Sequence, residues 1–421
     1  MLNRKEAPHL SFDPTIDELV YETESLSNAI PLYSIIDKSQ DVCGIEIIFG
    51  GGKIDEQKNG ASYFSSNLLK SGSSKFNASE INNFFELRGA FVQFQNGLDY
   101  NSFSLYCLTS KLKETLPYFV ELFNNPTYPD TKLKQLKSKK EQQLKVNKQK
   151  SSYWSTKLLK EALFKQHLYG KTLNQEDIQS INAQDLKNHW NAHSLKNILF
   201  VTAAGNFDKK MVATTLESSL KKNNKPDERT KEIIPISQQS ESLNKTLKDS
   251  QQSSLKIGFH TISFLHPQYS ALSLGNAILG GYFGSRLMQS IREDKGLTYG
   301  IGSSIQHLKL SSFVQISADI KMGAGKEVLE LIKLELDKLI TESIPETELI
   351  KVKHFLIGEY KSNNQTIFDK INKIKFLKVN NLSDSYFKLH FNSILNQHSN
   401  SIQEVLAIHF QSNNFNTVLV E

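Results

Sequence analysis

His189 and His193 stand four residues apart near the end of a helical stretch, the spacing that turns two imidazoles to one side and lets them face one metal ion. Between them lie Trp190, Asn191 and Ala192, so no carboxylate shares the turn, and no third ligand is apparent. The chain has 11 His, enough for such a pair to arise by chance, and a structural role is the stronger reading. Gly280-Gly281-Tyr282-Phe283-Gly284-Ser285 precedes a helix as a phosphate-cradling loop would. It lacks the Gly-Lys-Ser/Thr ending, and close backbone packing at a helix start explains it. From Lys132 to Lys150 there are eight Lys and one acid, Glu141. Leu133, Leu136 and Leu144 make this an amphipathic helix with a basic, solvated face. Such a face can draw in an acidic substrate or partner. No aromatic-interleaved platform accompanies it, and a net charge of +6 is mild for 421 residues, so nucleic acid ranks last among its partners. Cys43 and Cys107 sit in apolar, strand-like runs and read as small core residues. Two cysteines are too few for a cysteine-based metal site or a stapled scaffold, and a disulfide between them stays open.

These residues need a scaffold, and the composition supplies one. Hydrophobic residues make up 38% and aromatics 10%, with 25 Phe and 14 Tyr, ample for a folded core. At 421 residues the chain exceeds one simple core, and two domains are expected. Charged residues at 22% argue against disorder. The N-terminal Met1-Leu2-Asn3-Arg4-Lys5-Glu6-Ala7-Pro8 has no apolar core of a secretory signal. No run approaches the length that spans a bilayer. A soluble, cytoplasmic chain that does not engage a membrane is the expectation.

Order is expected from about Ala29. The strand Gly44–Phe49 runs into Gly50-Gly51-Gly52, and a helix follows from about Gly60 to Ser71. A second helix opens at Ser79, and a hairpin joins Ala90–Phe94 to Tyr100–Leu108 through Asn96-Gly97. Helices then dominate from Lys111 to His193, and an apolar strand begins at Asn197. Residues 221–252 are polar and turn-rich, the best linker candidate. After them the order repeats: a strand at Leu255–His260, two helices, strands at Leu297–Ile305 and Ser312–Ile320, and long helices from Gly325 to Ser362. The fold class expected is α+β, as two similar domains. Each is a mostly antiparallel sheet with helices packed on one face. The bounds are 1–222 for the first domain, 223–252 for the linker and 253–421 for the second.

The segment Gly51 to Gly72 resembles the signature region of the pitrilysin/insulinase family of zinc peptidases, where a glycine-rich turn and acidic residues precede a helix bearing His-x-x-Glu-His. His167-Leu168-Tyr169-Gly170-Lys171 resembles that family's His-Pro-Tyr-Gly region, and the run from Gly280 to Tyr299 resembles its C-terminal hallmark. The likeness spans residues 41 to 362 and shares the internal duplication.

An active member needs two His one helical turn apart, a Glu between them as general base, and a Glu from a later helix as third ligand. Here the His positions hold Tyr63 and Asn67, the base position holds Ser66, and the third ligand falls at Gln143 with Gln142 beside it. Tyr, Asn, Ser and Gln are poor zinc ligands at neutral pH. The resemblance therefore implies a chain without metal of its own that cleaves no peptide by that route. The helix itself reads as Phe64 and Leu68 packed inward, with Ser62, Ser65, Ser66 and Asn67 as a solvated face. Arg292 and Tyr299 match the family's Arg and Tyr that reach across a closed chamber and steady the substrate carbonyl beside the other half's zinc. In two-chain members one subunit carries the zinc motif and the other this pair. The resemblance thus implies half of a clamshell chamber for a peptide substrate. Zinc would lie on a partner, a relative that keeps His-x-x-Glu-His. The alternative is an inert peptide-holding or structural protein that assembles with itself.

Overall fold

The computed structural model describes residues 12–220, 240–248, 250 and 252–421. The N-terminal Met1–Pro8 and the centre of the expected linker lie outside the described residues. Alternating apolar residues and turn-bearing glycines and asparagines build two sheets. The first runs β1 (Glu22–Ser25), β2 (Pro31–Ile36), β6 (Ile198–Gly205), β3 (Val42–Phe49), β5 (Asn101–Leu108), β4 (Phe91–Asn96), neighbour by neighbour. The second runs β7 (Ser242–Lys245), β11 (Asn416–Val420), β8 (Ser253–Thr261), β10 (Ser311–Ile320), β9 (Thr298–Leu308). From β2 and β7 onward the two orders correspond strand for strand. In each, one parallel pair, β2 with β6 and β7 with β11, adjoins antiparallel ones. The duplication expected from sequence is real.

On β3 the odd residues Cys43, Ile45, Ile47 and Phe49 enter the first core, and on β8 Leu255, Ile257 and Phe259 enter the second. The even residues face the other way, and there the halves exchange helices. The helix Ser151–Phe164 of the first half packs on β8 and β11, and the helix Ile367–Val379 of the second packs on β6 and β2. A glycine on the central strand admits the visitor in each case. A Cβ on Gly258 would stand 2.9 Å from a Leu159 methyl, and one on Gly44 would stand 3.1 Å from the Phe368 ring. Leu159 and Leu163 are almost wholly buried, which contributes roughly 3–6 kcal/mol. Across the other junction the Lys375 ammonium donates to both Glu46 oxygens at 3.0 Å. So each sheet carries its own helices on one face, as expected, and a helix of the opposite half on the other.

Two expected boundaries move. Ordered chain begins well before Ala29: Phe12 stacks on His354, Lys361 pairs with Asp13, and Ile16 and Leu19 are buried against the second half. Residues 242–245, assigned to the linker, form the edge strand β7, because their backbone pairs in parallel with β11.

Candidate functional site

The turn after β3 is organised around one carbonyl. The Gly51 oxygen accepts hydrogen bonds from Ser62 Oγ at 2.8 Å, Asn101 Nδ2 at 2.7 Å and His189 Nε2 at 2.9 Å. Glu56 is buried, and its carboxylate accepts from the backbone N–H groups of Gly60 and Ser62. It thereby caps the first turn of the helix Ala61–Asn67. Burial pushes the Glu56 carboxyl up from its ordinary range, and the backbone N–H groups partly offset it. Burial likewise depresses His189 to about 4. The His189 and His193 rings lie 5.4 Å apart, but His189 is committed to the Gly51 carbonyl. Its role is structural, as the sequence indicated.

The Ala61–Asn67 helix departs from its expected faces. Phe64 and Leu68 are buried as expected, yet Ser62, Ser65 and Ser66 are buried too, and only Asn67 is exposed. The expected solvated face is therefore wrong. Ser62 donates to Gly51 and Ser65 Oγ donates to the Ser62 carbonyl. Such small side chains let the helix lie close against the helix Ala183–His189 and β4. The Asn67 amide turns back onto the Tyr63 carbonyl at 2.8 Å. Tyr63 is half-buried, edge-on to Phe64, and the Lys140 ammonium lies 4.3 Å above its ring centroid.

Lys140 stands one turn before Gln143 on the helix Asp130–Asn147, so this helix does run beside the one bearing Tyr63. Gln143 itself is exposed. On the same helix Leu133 and Leu144 are buried while Leu136 is half-buried, the amphipathic pattern expected. These residues do not fit zinc. Tyr63 holds its proton more tightly than usual because of burial, Asn67 and Gln143 are neutral amides, and a cation already covers Tyr63. Among the described residues no cluster of three or more His, Cys, Asp and Glu is placed to hold a metal ion.

The second half builds a different surface. Gly280 packs as its sequence context indicated: a Cβ there would meet the Ser303 nitrogen at 2.7 Å. Arg286 then grips Glu348 through Nε at 3.0 Å and Nη2 at 2.8 Å, tying the following turns to the helix Glu346–Ser362. Arg292 lies on the π-helical turn Met288–Glu293. Its guanidinium is 4.8 Å from the centroid of the exposed Phe283 ring, with the Glu293 carboxylate 3.0 Å from Nη1. Tyr299 is 88% exposed. Gly300 pairs with Asp319 and Thr298 with Ile320, so Tyr299 is the extra residue of a β-bulge. Thr298 pins the bulge by donating to the Asp319 carbonyl at 2.6 Å and accepting from the Gly300 N–H at 3.1 Å. A bulge re-aims the side chain it carries. The sequence reading missed the bulge, Phe283 and Lys140. Gly300 directly after Tyr299 was the one local signal for the first.

A pseudo-symmetric pair of such sheets, each with helices packed on it, defines a class, and sequence comparison gives the same one. Residues 33–177 match the profile described as insulinase (peptidase family M16), and residues 180–356 match that of the peptidase M16 inactive domain. The chain belongs to the M16 insulinase/pitrilysin family, and its sequence contains no His-x-x-Glu-His. It is similar to the uncharacterized zinc protease YmxG of Bacillus subtilis, with 22% identity over 82% of this chain and 90% of that protein. The non-peptidase homolog YmxG of Helicobacter pylori is 24% identical over 77% of this chain and 76% of its own. A peptidase M16 inactive domain structure from Pseudomonas fluorescens shares the fold, with a TM-score of 0.84 at 21% identity over 95% of this chain and 98% of that one. So does a Helicobacter pylori protease structure, with a TM-score of 0.85 at 16% identity over 96% and 100% of the two chains. Among the described residues no helix is long and apolar enough to cross a membrane.

Proposed function

We propose that this chain is the non-catalytic subunit of a heteromeric zinc peptidase, supplying one half of a clamshell chamber to a relative that carries the zinc. The observation behind this reading is an asymmetry. At the positions where the resemblance expects metal ligands the chain has Tyr63, Asn67 and Gln143, and Lys140 covers the first, whereas Tyr299 stands out on a pinned bulge and Arg292 lies nearby in the chain on an aromatic face. In the complex these two would donate hydrogen bonds to the carbonyl of a peptide held against the partner's metal. Donors fixed in advance toward a developing oxyanion stabilise it without reorganising. The working domain bounds are 1–222 and 253–421 with 223–252 between them, the edge strand β7 (Ser242–Lys245) being counted with the second sheet, and the working compartment is the cytoplasm.

The test is a native pull-down of the tagged full chain, followed by peptidase assays on the recovered complex. A stoichiometric relative bearing His-x-x-Glu-His is expected. Tyr299→Phe and Arg292→Ala should each lower its turnover about tenfold or more, with assembly intact. Recovery of this chain only, as a dimer of itself, would instead support an inert peptide-holding or structural protein. The description of the Helicobacter relative as a non-peptidase is the observation that favours that second reading.

A further inference from the structure

Cys43 and Cys107 are opposite one another in the register of β3 and β5. Their sulfurs are 3.7 Å apart, and both thiols are free. The two side chains therefore already lie on the same face of the sheet, side by side. Rotation about each Cα–Cβ bond brings the sulfurs to bonding distance without slipping the strands.

We propose that Cys43 and Cys107 form a peroxide-reactive dithiol that closes to a cross-strand disulfide. The two sulfurs are not equivalent. The Thr115 hydroxyl is shared between the Lys111 carbonyl at 2.9 Å and the Cys107 sulfur at 3.5 Å. The hydrogen bond with the Cys43 thiol, joined by that from Thr115, holds Cys107 below the ordinary thiol range against its burial, while the hydrogen bond to Cys107 and burial hold Cys43 above it. Cys107 is also the less enclosed of the two, 5% exposed against 1%. That enclosure excludes docking by a thiol–disulfide oxidoreductase and leaves a molecule little larger than water as the reactant. Cys43 follows the first residue of β3 and Cys107 precedes the last residue of β5, so the pair lies at the end of the two strands.

The Cys107 thiolate attacks one oxygen of hydrogen peroxide. An S–O bond forms, the O–O bond breaks, and the departing hydroxide takes a proton to become water. Cys43 then attacks the resulting sulfenic acid. The S–S bond forms, the S–O bond breaks, and the hydroxyl leaves as water with the Cys43 proton. In sum, two thiols and one peroxide give one disulfide and two waters. The bond ties β3 to β5 at the end away from Asn101, whose amide reaches Gly51. It staples the first half without disturbing the turn above, so the test is independent of any role in a peptidase.

The full-length reduced protein is exposed to a modest excess of hydrogen peroxide, denatured, alkylated and weighed intact. The expected product has lost about 2 Da, carries no alkyl group on either cysteine, and yields a cross-linked peptide pair that dithiothreitol separates. In Cys43→Ala and in Cys107→Ala the loss of about 2 Da should vanish and the remaining cysteine should stay open to alkylation or be trapped by dimedone, since no partner thiol is left to close the bond. Two alkylatable thiols in wild type after treatment would overturn the proposal. So would direct passage of Cys107 to sulfinic or sulfonic acid while Cys43 stays free.

Discussion

Lys375→Met tests how the two halves are held together. Lys375 bridges from its helix to Glu46 on β3, and the two side chains are 14% and 11% exposed. Removing the cation leaves a carboxylate facing Tyr100 and Tyr106, both of which feel its charge. Breaking a buried pair from one side costs about 3–5 kcal/mol, and the residual exposure here places the expected loss near the lower end, about 3 kcal/mol. Glu46→Gln should cost less, about 1–2 kcal/mol, because the lysine stem can carry its ammonium outward. Glu46→Leu combined with Lys375→Met removes both charges and fills the gap with apolar atoms, which should return stability to within about 1 kcal/mol of wild type. The assay is urea unfolding followed by tryptophan fluorescence. Trp190 is fully buried in the first core, and Trp154 lies beneath the Lys245 ammonium at the junction, so the two report on different places. A Lys375→Met loss below about 0.5 kcal/mol, or a double variant no better than the single one, would refute the argument that this pair is a buried tie.

His189 and His390 are both held to about 4 by burial, against an ordinary 6.5. Because the folded state lowers these values, their contribution is complete above pH 6.5 and is lost as pH falls toward 4. Between pH 7 and 5 each should remove about 2 kcal/mol of stability, read from urea midpoints at the two pH values, and His390→Gln should flatten that dependence. A graft of Tyr63→His, Ser66→Glu, Asn67→His and Gln143→Glu should bind zinc weakly. Adding Lys140→Ala should tighten it about tenfold or more by isothermal titration, since an ammonium at that place repels the metal. In the heteromeric complex, Tyr299→Phe should lower kcat more than it raises KM, as loss of a donor used in the transition state does.

Much of this molecule was legible because its signals are local. Asn96-Gly97 between alternating runs marks a hairpin wherever it occurs, and β4 and β5 are found there. The repeated strand order followed from the same kind of punctuation. The helix exchange was hidden, because nothing in Ser151–Phe164 or Ile367–Val379 says which sheet each will cover. That choice is made by Gly258 and Gly44, more than 90 and 300 residues away in sequence. Ser62, Ser65 and Ser66 misled for a related reason. Serine is usually wet, but here Gly51 and Asn101 satisfy the Ser62 hydroxyl, Ser65 Oγ turns to the Ser62 carbonyl, and the Ser66 hydroxyl is buried without a partner. Lys140 over Tyr63 was one lysine among eight on its stretch until two helices met.

The exchanged helices also set the order of events as the chain emerges from the ribosome. When the first half is complete, its helix Ser151–Phe164 has no sheet of its own to cover, and the even face of β3 waits for a helix more than 300 residues downstream. Each half is thus born with an apolar debt that only the other can settle. A ribosome pausing between them would present a nascent chain in need of a chaperone. For the same reason a chain severed between the halves after folding should not fall apart. The two pieces would stay clasped, each holding an element of the other in its hand.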